Sequence, residues 1–296
     1  MFSQKYSDNT VSFALIIGAA VWGLYWFPLR AIEGMGLSGS WSVVFINACP
    51  LIVLCPLFIF NYKKLLGNFQ KTILASIMIG FAFSFYAYAL LESSIIRATL
   101  LFYLSPLWAT AIGVMWLNER ITKARILSIC IGLVGLFLLL SQNDSINKPL
   151  NIGDLFAVLS GVFWAIGGSL LKKYPNISII PLTTFLYIAT TFISVIFAAL
   201  FYMDPLPDIM VIKIALSTAI IWSVFILAPG FILVFMASKI LYPGRVSILM
   251  MSEVIVAIIS ASILVPGETM VLIQWLGAIG IISAGLVEVF YGNKSL

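Results

Sequence analysis

Ten apolar runs, each about long enough to cross a bilayer as a helix and parted by short polar breaks, leave this chain few ways to fold. Spans are expected near Ser12–Ile32, Ser40–Phe60, Thr72–Leu91, Arg97–Leu117, Ala124–Leu140, Ile152–Leu171, Ile179–Tyr202, Ile212–Met236, Arg245–Leu264 and Val271–Tyr291. Between them lie turn-forming or charged breaks such as Asn61-Tyr62-Lys63-Lys64, Asn118-Glu119-Arg120, the Gln142–Asn151 stretch and Asp204-Pro205-Leu206-Pro207-Asp208. Composition points the same way: 62% of the 296 residues are apolar and 9% are charged. A water-soluble domain carries charge on about a quarter of its residues. Here too few polar side chains are available to cover a soluble surface. The expected fold class is therefore an all-α integral membrane protein of ten transmembrane helices. The first run is too long for a signal peptide and lacks a small-x-small cleavage site, so that span is expected to be retained.

Lysine and arginine set the expected orientation. With both termini cytoplasmic, twelve of the sixteen basic residues fall on the inner side and four on the outer side, the latter being Arg30, Arg97, Lys148 and Lys213. The net charge of +5 then follows membrane sidedness, and nucleic acid is not expected as a partner. A model of nine or eleven spans destroys this bias for half of the chain.

The two halves resemble each other. Ala19-Ala20-Val21-Trp22-Gly23 early in the first span matches Gly161-Val162-Phe163-Trp164-Ala165 in the sixth. Arg97-Ala98-Thr99-Leu100-Leu101 opens the fourth span as Arg245-Val246-Ser247-Ile248-Leu249 opens the ninth, and these spans end at Asn118-Glu119-Arg120 and Gly267-Glu268-Thr269. The expected units are residues 1–142 and 150–296, with five spans each. Because five is odd, the second copy enters the membrane from the opposite side. Two inverted five-helix repeats are an architecture of alternating-access transporters.

These residues carry a family resemblance over nearly the whole chain. Trp22-Gly23 and Gly153-Asp154 with Phe163-Trp164-Ala165 resemble the repeat openings of the drug/metabolite transporter superfamily, EamA type. Leu104-Ser105-Pro106 and Asn118-Glu119-Arg120-Ile121-Thr122 resemble its fourth span and exit, and Gly267-Glu268 resembles its closing signature. Ser252-Glu253-Val254 resembles the segment where the family often has Leu-Glu-Pro. With valine in place of proline, a less kinked ninth helix is expected. The resemblance implies a secondary carrier in a bacterial inner (plasma) membrane, commonly an exporter of amino acids or related metabolites.

Glu253 is the residue most expected to carry chemistry. It lies eight residues beyond Arg245, about 12 Å into the ninth span. An ionisable group at that depth faces a polar cavity or a partner. It is either a cation-binding or proton-exchanging carboxylate, or a structural glutamate held by Ser252 or by backbone. Among the aromatic residues Trp22, Tyr25, Trp26, Phe85, Tyr86, Tyr88, Tyr103, Trp108 and Trp164, some line a cavity and hold a cation by their ring faces, and others pack against lipid or form an interfacial belt. The candidate substrate-binding set is Trp22, Tyr86, Tyr103, Trp164 and Glu253, drawn from the first, third, fourth, sixth and ninth spans. Pro28, Pro50, Pro56, Pro106, Pro229 and Gly230 are candidate hinges or packing kinks. Glu92, Arg97, Glu119, Arg120 and Glu268 read as solvated charges at the interface, with gating pairs among them as the alternative.

The chain has no histidine, so His-based proton relays, His metal sites and Ser-His hydrolysis are excluded. Cys49, Cys55 and Cys130 lie in apolar runs without CxxC spacing and read as small apolar core residues. No cofactor or metal is expected. The leading function is a carrier of small organic cations or zwitterions, an exporter or exchanger, with the bilayer and a small-molecule substrate as partners. Coupling falls to a proton or an exchanged substrate, since no Walker motif is present. The alternatives are a lipid-modifying membrane enzyme, a channel-like protein, or an uptake carrier for quaternary amines.

Overall fold

The computed structural model describes residues 7–93, 95–141, 149–264 and 271–292. The Gly267-Glu268 signature and most of the expected Gln142–Asn151 loop lie outside them. All regular structure among the described residues is helical. The first half comprises α1 (Asp8–Trp22), α2 (Trp26–Gly34), α3 (Gly39–Ala48), α4 (Leu51–Asn61), α5 (Lys63–Leu66), α6 (Phe69–Glu92), α7 (Ile95–Phe102), α8 (Ser105–Leu117) and α9 (Lys123–Leu140). The second comprises α10 (Ile152–Lys173), α11 (Ile179–Ile196), α12 (Ile209–Ile220), α13 (Ala228–Ser238), α14 (Pro243–Met250), α15 (Ser252–Leu264) and α16 (Leu272–Tyr291). Short π-helical stretches, Phe197–Phe201 and Ile221–Leu227, extend α11 and join α12 to α13.

Among the described residues, seven helical stretches, not ten, are long and apolar enough to cross a membrane: Asp8–Gly34, Gly39–Asn61, Phe69–Glu92, Ile152–Lys173, Ile179–Phe201, Ile209–Ser238 and Leu272–Tyr291. The other three expected spans are α7 with α8, α9, and α14 with α15. Two of these are split in mid-course. α9 has 18 residues, about 27 Å of helix against a hydrocarbon core of about 30 Å.

Local sequence explains where several helices start. Asn151 caps α10 reciprocally: its side chain accepts from the Asp154 amide at 3.0 Å, and Asp154 accepts from the Asn151 amide at 2.8 Å. Thr122 caps α9 by accepting from the Arg125 amide. Large apolar side chains face outward along the bundle; Phe60 is 84% exposed and Met115 77%. Such a surface is stable against lipid and not against water.

The most extensive contacts run between the halves. α9 packs along α16 and α8 on α14, α6 on α10 and α11, α1 on α13, α14 and α15, and α3 on α11. Small residues permit the close crossings. A Cβ added to Gly18 of α1 would lie 2.8 Å from the Gly230 carbonyl of α13. One added to Gly135 of α9 would lie 2.7 Å from the Gly277 carbonyl of α16.

Candidate functional site

Three helix breaks meet in the middle of the bundle. α1 stops at Trp22, and the Tyr25 amide bonds back to the Trp22 carbonyl at 2.9 Å. The break between α7 and α8 falls at Tyr103-Leu104, with Pro106 in the first turn of α8. The break between α14 and α15 falls at Met251, whose amide reaches the Ile248 carbonyl at 3.1 Å. The ninth span is thus interrupted although proline is missing at Val254, because the tightened turn lies before Ser252, upstream of that position.

A small cavity opens among these breaks. Trp22, Tyr86, Trp164 and Glu253 line it, together with Phe83, Phe102, Phe231, Ser160, Ala82 and Met250. Glu253 is 4% exposed. It accepts from Tyr103 Oη at 2.7 Å, and Tyr103 Oη also lies 3.0 Å from the Met250 carbonyl oxygen. Tyr103 therefore stands directly behind the wall, with its hydroxyl on the carboxylate. Glu253 is the ionisable acid of this lining, and the ion pairs found among the described residues lie elsewhere.

The remaining wall is aromatic. Trp22 is 4.4 Å from Tyr25, 5.4 Å from Phe83 and 3.9 Å from Phe231, measured between ring centres. Phe83 is nearly parallel to Trp164 at 6.2 Å, and Tyr86 lies 4.8 Å from Phe102. These rings close on one another, so the cavity has room for a water or two rather than for an organic molecule. Opening it requires the rings of Trp22, Phe83 and Phe231 to part.

The structure brings the five candidates together and leaves other aromatics outside. Trp108 is 39% exposed on the outer face. Tyr88 donates to the Ser194 carbonyl at 2.9 Å, Trp26 donates to Ser260 at 3.1 Å, and Phe85 stacks on Phe156. Phe83, Phe102, Ser160 and Phe231 were not singled out from sequence. A signal for Phe231 was available: a repeat that places the third span at the site also places its counterpart, the eighth, there.

Glu119 departs from expectation. Instead of a solvated interface charge, its side chain is 4% exposed and meets Arg125 Nη1 at 2.6 Å. Arg125 also reaches Glu288 of α16 at 2.8 Å. The cause is local: Asn118 takes a left-handed conformation, φ 52°, and the Glu119 amide returns to the Gly113 carbonyl at 3.0 Å. That turn folds Glu119 back under α8. Burial holds its carboxyl above the usual range, against the opposing pull of Arg125. Nearby, Arg245 is 1% exposed and donates to Ser12, Asn9 and the Val289 carbonyl.

A helical bundle with lipid-compatible outer faces and a polar group enclosed at its centre is a multi-pass membrane protein. A sequence profile described as the EamA-like transporter family matches it twice, over residues 9–141 and 151–289. The chain belongs to the EamA-like transporter family, a family of transporters rather than enzymes. It is 24% identical over 161 residues to an uncharacterized transporter of Archaeoglobus fulgidus, covering 54% of this chain and 55% of that one. It is 24% identical over 137 residues to the uncharacterized transporter YojE of Bacillus subtilis, covering 43% and 45%. An uncharacterized transporter of Helicobacter pylori is 26% identical over 103 residues, covering 35% and 33%. The chain thus spans about half the length, or less, of these curated relatives. A solved crystal structure shares the fold with a TM-score of 0.74 at 16% identity, covering 95% of both chains.

Proposed function

We propose that the protein is a secondary carrier of small organic cations or zwitterions, an exporter or exchanger of a bacterial inner membrane working by alternating access. The observation that carries this reading is a closed, ring-walled cavity whose acidic group is Glu253. Aromatic faces attract ammonium and quaternary nitrogen by roughly 0.5–2 kcal/mol each, and a carboxylate supplies the opposite charge. An anionic cargo finds no basic side chain in that lining. An aromatic amino acid is the near rival as a zwitterion: once the rings part, its own ring stacks on Trp22 or Trp164 and its ammonium meets Glu253.

The mechanism rests on ten crossings in two inverted repeats, residues 1–142 and 150–296, with both termini cytoplasmic. The pattern of packing supports it. In such a repeat the fourth and ninth spans are equivalent, as are the fifth and tenth, and these are α8 with α14 and α9 with α16. The pairing of the third span with the sixth, α6 with α10, has as its counterpart the eighth with the first, α13 with α1. A carrier built this way moves one repeat against the other around a fixed central site. The ring contacts that close the cavity are the ones that such a motion parts.

Binding decides the reading. Purified protein is screened by thermal unfolding against aromatic amines, quaternary ammonium compounds, aromatic amino acids and carboxylic acids. A ligand at about a hundred times its Kd stabilises by roughly 2.7 kcal/mol. Amines or amino acids are expected to raise the midpoint, carboxylic acids to leave it unchanged, and Glu253→Gln to abolish the rise. If proton exchange drives transport, the same substitution also removes the dependence of flux on external pH. Stabilisation by cations that survives Glu253→Gln unchanged makes the residue structural and sinks the proposal.

A further inference from the structure

The hydrogen bond between Tyr103 and Glu253 joins two broken helices, and its arithmetic is unusual. Tyr103 sits in the break between α7 and α8, and Met250 closes α14 just before the break at Met251. Carbonyls in the last turn of a helix lose their regular partners. The Val254 amide donates to the Met251 carbonyl at 3.1 Å, and Tyr103 Oη stands 3.0 Å from the Met250 carbonyl oxygen. The same Oη stands 2.7 Å from Glu253 Oε2. A tyrosine hydroxyl has one proton to donate, and there are two acceptors.

The charge on Glu253 decides which acceptor receives it. An ionised carboxylate only accepts, so Tyr103 must donate to it, and the Met250 carbonyl goes without. A protonated carboxyl donates its own hydrogen to Tyr103 Oη, which frees the hydroxyl hydrogen for Met250. No heavy atom has to move between the two arrangements; the hydroxyl rotates and one proton joins or leaves Oε2. We infer that Tyr103 is a positioning residue that couples the charge state of Glu253 to the break between α14 and α15. With Glu253 neutral, the break is pinned to the α7–α8 crossing through Met250. With Glu253 charged, and therefore able to hold a cation, the pin is released and the break is free to bend. The inference rests on the reading of Glu253 as the cargo-binding carboxylate.

The surroundings leave the switch to these two side chains. Tyr86 of α6 is the other titratable group beside them, and it bonds to Thr99 at 3.3 Å. Tyr25 is stacked on Trp22. α1 presents Trp22 and has Asp8 at its far end, and α13 presents Phe231. α10 presents Ser160 and Trp164 and keeps Asp154, Lys172 and Lys173 at its ends. Glu288 of α16 is tied to Arg125.

The test is backbone hydrogen–deuterium exchange of the 245–255 segment in the full chain, at acidic and alkaline pH, with rates corrected for chemical exchange. In the wild type the segment is expected to exchange roughly fivefold more slowly at acidic pH, the worth of one hydrogen bond. Glu253→Gln, whose amide donates to Tyr103 at any pH, is expected to show the slow rate at both. Tyr103→Phe is expected to show the fast rate at both, and the double variant to behave as Tyr103→Phe alone. A Glu253→Gln effect that persists in the Tyr103→Phe background overturns the inference. Should Tyr103→Phe not assemble, the wild type and Glu253→Gln decide alone, and equal rates at alkaline pH overturn it. Cation binding followed by thermal unfolding is scored separately. Loss of the exchange cycle with cation binding intact refutes the coupling, and an intact cycle without cation binding refutes the cargo reading.

Discussion

Arg125 holds two carboxylates at once, Glu119 at 2.6 Å and Glu288 at 2.8 Å, with all three side chains buried. Removing the cation leaves two buried acids facing each other, which costs about 3–5 kcal/mol in comparable sites. Arg125→Ala is therefore expected to lower the thermal midpoint of purified protein sharply. Arg125→Lys recovers only part of the loss, because an ammonium cannot fork to two carboxylates as a guanidinium does. An unchanged midpoint in Arg125→Ala would mean that water already compensates the cluster. At this scale the sequence was half legible. Glu253 stood out because an acid deep in an apolar run needs a reason, and Trp22 and Trp164 stood out by recurring in the two halves. Glu119 did not, because its burial depends on a left-handed turn at Asn118 and on the end of a helix more than 150 residues away. Glu288 did not either, because it lies three residues from the expected end of its span and lacks the depth that marks Glu253.

The element scale is governed by where helices break and how closely they cross. Gly23, at the first break, packs on the backbone of α15: a Cβ there would run into the Glu253 carbonyl and come within 3.0 Å of Val256 Cβ. A methyl group against backbone cannot be accommodated by a rotamer change, and overpacking of this kind costs about 1–3 kcal/mol. Gly23→Ala is expected to destabilise by that amount. Gly168→Ala in α10, where a Cβ meets nothing within 4 Å, should be neutral or gain up to about 1 kcal/mol from helix propensity. Equal midpoints for the two variants would rule out the tight crossing at Gly23. Apolar runs located most helices to within a few residues, but they did not reveal the breaks. Pro106 flags one, just after Tyr103, whereas Met251 has neither proline nor glycine beside it, and Pro56 lies inside α4 without ending it. Those interruptions follow from packing at the centre, which a one-dimensional pattern does not record.

At the scale of the whole molecule, the proposed topology fixes which segments face outward. With both termini cytoplasmic, the segment joining the halves, Gln142–Asn151, lies outside. A cysteine introduced there, in a background without Cys49, Cys55 and Cys130, is expected to react with a membrane-impermeant maleimide on intact cells. Labelling only after the cells are opened would invert or break the repeat arrangement. The cross-half packing also bears on how the chain is made. Synthesis delivers α1–α9 first, yet α6 finds its partners in α10 and α11, and α9 finds its partner in α16. Faces such as Gly132 and Gly135, which pack on the second half, therefore stay uncovered until that half is made. Assembly of this transporter is thus expected to be a late, collective event. Separately expressed halves are expected to regain transport when produced together, and the first half alone to be cleared by membrane proteases, as immunoblots of pulse-chased cells can show.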